Sequence, residues 1–302
     1  MLLRKGYGIA NREHDVPMTV ETKFRIGTLT SLFTALAIMR LVQDGAIGLD
    51  DSICDYVDAC PETWQPITID HLLTRTSGLP TFESMPAVST LLKTGASSKI
   101  LLDSFRDAKL TAKPGEQWAY SQMNDFLLGL VIDKAGVTYR RYLQQTILDP
   151  LAMTDSGLDT GRGLLPNRAD GYADATAHAD YVDIATLGAA AAMYSTVDDL
   201  HRLAQGLAYG AILSDTVVAE MSAPRISVPG FYGGPADYTY GWFLNEFKGR
   251  RRVIGTGGVE GYMADMHLFP DDGVVVIVLG NRDDQDTYPI AELIEGWIFG
   301  GQ

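Results

Sequence analysis

The stretch from Phe24 to Val42 constrains the fold more than any other part of the chain. From Phe33 onward its apolar residues recur with the spacing of a helix, and glycines follow the pattern. This predicts a buried helix that ends in a turn. Thr28 and Ser31 stand at its start, three residues apart, so their side chains share one face. The segment therefore predicts two neighbouring hydroxyl groups at the beginning of a buried helix.

Size and charge limit the classes of function. The chain has 302 residues, of which 46% are hydrophobic, so it can bury the core of one large domain or two closely joined ones. With 38 acidic against 24 basic residues the net charge is -14, which disfavours nucleic acid and anionic membranes as partners. The only basic run, residues 250–252, is predicted to be a solvated turn between strands. We expect a small-molecule substrate or ligand.

Cysteine and histidine usage gives no sign of a metal or a cofactor. Cys54 and Cys60 are either free thiols or one local bridge, and no cluster has the spacing of metal ligands. We therefore expect no cofactor. The first six residues lack the apolar core of a signal peptide, and no stretch of about 18 apolar residues could cross a bilayer. The sequence as given predicts a cytoplasmic protein.

The periodicity changes along the chain from helical to extended. Helical patterns cover residues 33–42, 68–77, 124–135, 139–147, 196–207 and 288–299. Extended patterns cover residues 238–247, 251–255, 262–270 and 273–281, with a hairpin signal at 271–273. The last helix is expected to pack on the sheet through Ile290, Leu293, Ile294 and Trp297. This order predicts an α+β fold in which an antiparallel sheet is flanked by helices, plus an all-helical region.

Short motifs occur in a fixed order along nearly the whole chain. They are Phe24-Arg25-Ile26-Gly27, His71-Leu72-Leu73-Thr74, Thr76-Ser77-Gly78-Leu79, Pro114-Gly115-Glu116, Tyr120-Ser121, Tyr194-Ser195-Thr196 and Tyr240-Gly241-Trp242. In this order the chain resembles the serine β-lactamase-like superfamily, which includes class C β-lactamases, D-alanyl-D-alanine carboxypeptidases and family VIII-type esterases. The resemblance implies one β-lactamase-related unit. Its sheet region would comprise residues 1–30 and 185–302, and its mainly helical region residues 31–184.

The first catalytic motif of that family is altered here. In the family a Ser opens the helix and a Lys follows one turn later, so that the amine can activate the hydroxyl. This chain has Thr28 and Ser31 at those positions. The Thr28 methyl group crowds the path of attack, and no ammonium remains at position 31. The resemblance therefore implies a weak nucleophile.

The second motif is retained in part as Tyr120-Ser121-Gln122, with Gln122 where the family has Asn. By resemblance Tyr120 is a base or a proton shuttle, and the alternative is an aromatic side chain that supports the pocket.

The third motif lies within residues 254–262, and its cationic position is Gly255. Backbone N–H groups near Gly258 and Thr28 are expected to form an oxyanion-binding site, because backbone donors persist when side chains change. Thr256 and Gly257 complete the strand beside it.

Acidic and aromatic residues are the candidates to replace the lost cations. Glu260, Tyr262 and Tyr240 are expected to border the pocket. Such a pocket suits general acid/base work, or a cationic or neutral ligand, better than a carboxylate antibiotic. His178, Asp180 and Tyr181 are weaker candidates for the same border, and His71 is interpreted as structural. The predicted catalytic residues are Thr28, Ser31 and Tyr120, and the predicted substrate-binding residues are Gln122, Thr256, Gly257, Gly258, Glu260, Tyr262 and Tyr240.

Three functions are compatible with these residues. The first is an enzyme of altered chemistry that acts on an acyl- or carbonyl-bearing small molecule by hydrolysis, acyl transfer, or non-covalent cyclisation or elimination. The second is a pseudoenzyme that binds a ligand or a partner protein, since residues that act as a unit are lost together. The third is an esterase or β-lactamase that uses Thr28 directly.

The first residues of the chain suggest a second difference from the family. Relatives have a helix and an interior strand before the segment that matches residues 2–10. Without that strand, backbone groups of the sheet would lack partners. We expect that the sheet closes differently, that a second copy supplies the pairing in a homodimer, or that the natural start lies upstream.

Overall fold

A six-stranded antiparallel sheet forms the centre of the molecule. The computed structural model describes residues 2–231 and 234–300. The sheet has the order β11-β10-β9-β8-β7-β6, and separate small sheets hold β1-β2 and β3-β5-β4. The strands are β1 Ile9–Asn11, β2 Val16–Pro17, β3 Phe24–Arg25, β4 Gly157–Leu158, β5 Met193–Ser195, β6 Ile226–Phe231, β7 Gly234–Tyr238, β8 Phe243–Phe247, β9 Arg250–Val259, β10 Tyr262–Phe269 and β11 Val274–Gly280.

Consecutive strands of this sheet are neighbours, so the predicted antiparallel meander is confirmed. The single strand predicted at residues 238–247 is wrong, because a turn at residues 239–242 separates β7 from β8. Gly241 allows that turn because its φ is +88°. A Cβ atom at this position would lie 3.2 Å from the Cβ atom of Ala35.

Helices pack against the sheet and form a separate region in the middle of the chain. They are α1 Thr30–Gln43, α2 Ile69–Leu73, α3 Pro86–Thr94, α4 Ser98–Phe105, α5 Gln122–Lys134, α6 Tyr139–Leu143, α7 Ile184–Leu187, α8 Val197–Ala208, α9 Asp215–Met221 and α10 Tyr288–Ile298. The periodicity missed α3 and α4, and the predicted helix at 139–147 continues past α6 as a π-helical turn, Gln144–Leu148. The division into a sheet region and a helical region at the predicted boundaries stays a prediction.

Helix α1 is the buried helix that the opening segment predicts. Eleven of its residues are buried, and the helix lies in the main hydrophobic core. A single 3-10 turn, Gly27–Leu29, precedes it and carries Thr28. Near α2 the predicted cap is also confirmed, since Thr68 Oγ1 accepts from the His71 N–H at 3.2 Å and His71 Nδ1 accepts from the Thr68 N–H at 3.2 Å. His71 is therefore structural, as expected.

The prediction for the inner face of α10 is wrong. Ile290, Leu293 and Trp297 are 44%, 55% and 68% exposed. The sheet-facing side instead carries Glu295, which is fully buried and accepts a hydrogen bond from Arg252 Nη1 at 2.7 Å. A buried cation on β9 therefore selects a carboxylate where periodicity alone favours a hydrophobic residue.

The contact between Arg252 and Glu295 also corrects the prediction that residues 250–252 form a solvated turn. Only Lys248 and Gly249 separate β8 from β9, and the three arginines open β9. Arg251 is exposed and Arg250 pairs with Asp272, whereas Arg252 is only 3% exposed.

Cys54 and Cys60 form a disulfide, which decides between the two alternatives left open by the sequence. Structural disulfides are rare in the reducing cytosol. The cytoplasmic location stays a prediction, and the disulfide argues against it. None of the helices within residues 2–231 and 234–300 is long and apolar enough to cross a membrane.

Candidate active site

The turn before α1 lies directly against strand β9. Gly27 has a φ of +50°, and a Cβ atom there would lie 2.4 Å from the carbonyl carbon and oxygen of Gly258. This close approach brings Thr28 to β9, where its Oγ1 accepts a hydrogen bond from the Gly258 N–H at 3.3 Å. Ser31 Oγ donates to the carbonyl oxygen of Thr28. The two predicted hydroxyls are therefore neighbours beside a backbone donor.

Two adjoining cavities meet at Thr28 and Tyr120. The outer cavity has a volume of about 360 Å³ and the inner cavity about 110 Å³. The outer cavity is lined by Thr28, Phe82, Glu83, Leu92, Tyr120, Gln122, Val182, Leu187, Ala191, Gly258, Val259 and Glu260. The inner cavity is lined by Thr28, Leu29, Ser31, Arg75, Tyr120, Tyr238, Gly241, Phe243 and Thr256.

A buried arginine occupies the space beside Ser31. Arg75 is 5% exposed, and its Nη2 donates to Ser31 Oγ at 3.0 Å and to Asp125 Oδ2 at 2.9 Å. Its Nε donates to the Tyr238 hydroxyl at 2.7 Å. The expectation that the pocket had exchanged its cations for Glu260 and tyrosines is therefore wrong in one respect. A cation remains, but it comes from the loop after α2 and not from α1.

Arg75 does not replace the chemistry of a lysine amine. A guanidinium stays protonated in proteins, and the pairing with Asp125 raises the pKa of Arg75 further. Asp125 is also buried, and desolvation raises its pKa to about 6 although Arg75 acts in the opposite direction. The pair supplies positive charge and hydrogen-bond donors beside Ser31, without a group that takes the hydroxyl proton.

Tyr120 lies between the two cavities. Its side chain is 36% exposed, and its ring packs against the Arg75 guanidinium, 4.8 Å from the ring centroid. It lines both cavities together with Thr28. Desolvation raises the pKa of Tyr120 to about 12 despite the nearby positive charge. At neutral pH Tyr120 is therefore a neutral phenol that can donate or accept a hydrogen bond and is poorly suited to act as a base.

The position of the third-motif cation is filled by apolar side chains. A Cβ atom at Gly255 would lie 2.6 Å from Leu29 Cδ1 and 3.2 Å from Trp242 Cζ3, so a larger side chain there would require Leu29 to move. Gly257 packs equally closely against the turn before α1, where a Cβ atom would lie 2.2 Å from the Leu29 nitrogen. Gly257 therefore serves close packing and does not line either cavity.

The remaining predicted residues divide into two groups. Gln122, Gly258 and Glu260 line the outer cavity, and Thr256 lines the inner one.

Two tyrosines predicted at the pocket lie outside both cavities. Tyr240 is fully buried and donates to Asp70 Oδ1 at 2.5 Å, and Tyr262 is 4% exposed and donates to the carbonyl oxygen of Ala169 at 2.6 Å. The expectation that they border the pocket is therefore corrected. Each hydroxyl already has a partner in the core, which explains the placement.

The weaker candidates lie elsewhere as well. His178 pairs with Glu13 and stacks on Tyr172, and neither Asp180 nor Tyr181 lines a cavity.

Two functional candidates were not singled out from the sequence. Arg75 stands in the Thr74-Arg75-Thr76 segment, and its positive φ of +57° was not visible in the residue pattern. Glu83 lines the outer cavity and accepts a hydrogen bond from Gln122 Nε2 at 2.5 Å. The residue pattern around these two positions gave no signal that could have indicated either.

No metal site accompanies these residues. Within the described part of the chain, no group of three or more His, Cys, Asp or Glu side chains is arranged to hold a metal ion.

Comparisons with known proteins identify the family and the fold. A model of the Beta-lactamase family matches residues 1–295. A solved structure of the octameric penicillin-binding protein homologue from Pyrococcus abyssi superimposes with a TM-score of 0.88 at 29% identity, covering 100% of this chain and 71% of that one. D-amino acid amidase from Ochrobactrum anthropi SV3, complexed with L-phenylalanine amide, gives a TM-score of 0.80 at 26% identity, covering 97% and 88% of the two chains.

A curated relative gives the same result. Penicillin-binding protein 4* of Bacillus subtilis (strain 168) is 26% identical over 99% of this chain and 70% of its own length. The chain spans 59% of a further relative, Protein flp of Staphylococcus aureus (strain MRSA252), at 25% identity. The structural neighbours have the predicted penicillin-binding-protein-like fold of helices and antiparallel sheet. Because the family match extends over nearly the whole length, this chain belongs to the Beta-lactamase family.

Proposed function

We propose that this protein binds an acyl- or carbonyl-bearing small molecule in the outer cavity and acts on it without efficient covalent attack by a hydroxyl. One observation supports this above all others. The group beside Ser31 is the guanidinium of Arg75, at 3.0 Å, and a guanidinium does not accept the proton that a nucleophilic hydroxyl must lose. Among the residues that line the two cavities, none is a lysine or a histidine.

The remaining groups are suited to binding and polarising a carbonyl. The Gly258 N–H donates to Thr28 Oγ1, and Tyr120, a neutral phenol, lines both cavities together with Thr28. When the carbonyl oxygen of a ligand displaces Thr28 Oγ1, the Gly258 N–H and the Tyr120 hydroxyl can donate to that oxygen. Arg75 adds positive potential from the inner cavity. Such a site stabilises negative charge on an oxygen, which assists acyl transfer to an external acceptor, cyclisation or elimination.

The alternative is a pseudoenzyme that binds a ligand or a partner protein without chemistry. The buried Arg75–Asp125 pair favours it, because the pair fills the space beside Ser31 and commits Nε and Nη2 of Arg75 to partners within the protein. One relative is named as a penicillin-binding protein and another as a D-amino acid amidase. The second name is that of an enzyme, which favours the first proposal.

A turnover assay separates these proposals. The native chain is offered a panel of chromogenic esters, amides and cephalosporins, beside Tyr120→Phe and Thr28→Val variants. Altered chemistry predicts turnover of at least one compound that falls at least tenfold in Tyr120→Phe and persists in Thr28→Val, because a polarising donor is lost only in the first. Turnover abolished only by Thr28→Val favours the hydrolase that uses Thr28. Binding without turnover supports the pseudoenzyme.

We also propose that the protein self-associates through β11 and α10. Strand β11 is an edge strand of seven residues without a charged side chain, and no other strand in residues 2–231 and 234–300 pairs with its second edge. Ile290, Leu293 and Trp297 form an exposed apolar stripe on α10, which packs beside that strand. The same strand from a second copy can pair antiparallel across a two-fold axis, which places the two stripes together. The octameric homologue from Pyrococcus abyssi supports self-association.

Light scattering coupled to gel filtration tests this surface. We expect an assembly for the native chain and a smaller species for Trp297→Glu. Tyr209→Glu is the matched control, because Tyr209 is 82% exposed at the end of α8. A monomeric native chain at micromolar concentration would refute the proposal, as would an unchanged mass for Trp297→Glu.

A further inference from the structure

A buried ionic cluster joins helix α10 to strands β9 and β10, and none of its members lines either cavity. The α10 cluster consists of Arg252, Asp265, His267 and Glu295, which are 3%, 1%, 0% and 0% exposed. His267 Nδ1 lies 2.5 Å from Glu295 Oε1, and Glu295 Oε2 accepts from Arg252 Nη1 at 2.7 Å. The cluster therefore connects three elements through buried charged groups.

The other ring nitrogen of His267 faces a second carboxylate. His267 Nε2 lies 3.5 Å from Asp265 Oδ1, and neither atom has a hydrogen-bond partner within residues 2–231 and 234–300. The second oxygen of Asp265, Oδ2, accepts from Thr287 Oγ1 at 2.5 Å. Each of the two contacts between the ring and a carboxylate needs one proton, and a neutral imidazole carries only one. The geometry therefore requires one further proton in the α10 cluster.

The charges of the cluster balance only with that further proton. Asp265 and Glu295 carry two negative charges, and Arg252 carries one positive charge. An unbalanced charge is costly in a site that water does not reach. Protonation of both nitrogens of His267 supplies the missing positive charge and fills both contacts of the ring.

The other groups around the ring do not supply this charge. Glu292 contacts the arginine of the cluster from the rim, where its side chain is 41% exposed. The Tyr288 ring lies 5.0 Å from the ring of His267, between centroids. The residues opposite His267 on β9 and β11 are Ile254 and Val276, which carry no charge.

Helix α10 meets the sheet mainly through this cluster. Its buried residues are Tyr288, Ala291 and Glu295, and only Ala291 has a side chain without a polar group. The Tyr288 hydroxyl accepts from Arg252 Nη2 at 2.8 Å, so this residue also depends on the arginine of the cluster. A change in the charge of the cluster therefore acts directly on the attachment of α10.

We propose that the α10 cluster is a pH-sensitive switch, in which one proton shared by His267 with two carboxylates holds α10 on the sheet and its loss at alkaline pH releases the helix. Without the proton, a net negative charge stays buried and His267 Nε2 presents its lone pair to Asp265.

The direction of the pH dependence follows from the surroundings of His267. Desolvation lowers the pKa of its ring, but Asp265 and Glu295 outweigh it and raise the pKa above its ordinary value of 6.5. The proton therefore stabilises the docked helix fully below about pH 6.5, and this contribution is lost as the pH rises through the raised value.

Hydrogen exchange of the full chain between pH 6 and pH 9 tests the switch. Peptides from α10 are compared with peptides from the core helix α5, after correction for the intrinsic exchange rate at each pH. We expect the protection of α10 to fall at least about fivefold more than that of α5, because an opening coupled to loss of one proton becomes up to about tenfold more favourable per pH unit. An equal change in both helices overturns the proposal.

A conservative variant separates the proton from the packing. In Asp265→Asn the amide can accept from Thr287 and donate to Nε2 of a neutral His267, so both contacts are filled without the further proton. The protection of α10 should then follow that of α5 at every pH. Asp272→Asn is the matched control, because Asp272 pairs with Arg250 in the turn after β10 and should keep the native pH dependence. Native pH dependence in Asp265→Asn overturns the proposal.

Nitrogen NMR of the native chain measures the proton itself and does not depend on a variant. The ring of His267 is identified by its contact with the Tyr288 ring. We expect both of its nitrogens to be protonated at pH 7 and one to lose its proton as α10 becomes exposed to exchange. A ring with a single proton at pH 7 overturns the switch.

Release of α10 also moves the stripe of Ile290, Leu293 and Trp297 away from β11. The native assembly should therefore dissociate at pH 9 in light scattering. This consequence rests on the proposed self-association, whereas the switch does not. A chain that is monomeric at every pH refutes the self-association alone, and an assembly that persists after α10 has become exposed to exchange refutes the link between the two.

Discussion

The buried pair of Arg75 and Asp125 makes a quantitative prediction about stability. Their side chains are 5% and 8% exposed and lie 2.9 Å apart, so neither charge is well solvated. Removal of one partner of such a pair costs about 3 to 5 kcal/mol, because the other charge remains buried. Replacing both by apolar residues removes that penalty. We therefore expect Arg75→Met to lose about 3 to 5 kcal/mol, and Arg75→Met/Asp125→Leu to be more stable than the single variant.

The sign of the pH dependence follows from Asp125. Its pKa in the folded protein is about 6, above the ordinary 3.8, so the cost of its buried charge is absent below about pH 4 and grows as the pH rises through 6. Loss of Arg75 removes the interaction that lowers this pKa, which then rises further. At pH 5 the carboxyl group of Arg75→Met is protonated. The loss of stability should therefore be clearly smaller at pH 5 than at pH 8.

Urea denaturation of the native chain, both single variants and the double variant at pH 5 and pH 8 measures these differences as a double-mutant cycle. The expected coupling energy at pH 8 is several kcal/mol. A double variant whose loss of stability equals the sum of the two single losses would refute the coupling of Arg75 and Asp125. An equal loss of unfolding free energy for Arg75→Met at pH 5 and pH 8 would refute the pH dependence.

Two further predictions concern the first turn of α1. Gly257→Ala should destabilise the fold by about 3 kcal/mol or more in urea denaturation, because its Cβ atom would lie 2.2 Å from the Leu29 nitrogen; an unchanged midpoint would contradict the observed packing. Thr28→Ser/Ser31→Lys should gain esterase activity that rises with pH, because the positive charge of Arg75 lowers the pKa of the introduced amine below its ordinary value of about 10.4. A silent double variant would show that the pocket has changed in other ways as well.

Local periodicity was sufficient for the elements that position the site. The apolar run after Phe33 predicted helix α1, and the extended segments near the end of the chain predicted the meander of β9 to β11. These features depend on neighbours in the sequence, which a residue pattern records directly. The hydroxyls of Thr28 and Ser31 followed from the helix, because their spacing alone places them together.

The rest depends on contacts between distant residues. Arg75 and Asp125 are 50 positions apart, and Glu83 and Gln122 are 39 apart. Nothing in the local pattern around Arg75 shows that its side chain reaches Ser31. The face of α10 was predicted wrongly for the same reason, since the buried partner of Glu295 is Arg252 on β9. Long-range pairing of buried charges overrides amphipathic periodicity.

Thr28 is expected to form no efficient acyl-enzyme, because no neighbouring group in the described part of the chain is suited to take its proton. Intact-mass spectrometry after incubation with a penicillin and an activated ester tests this most directly. We expect an unmodified mass for the native chain over many minutes, and an acyl adduct at the introduced serine in Thr28→Ser/Ser31→Lys. A rapidly formed adduct mapped to Thr28 of the native chain, with turnover, would contradict it.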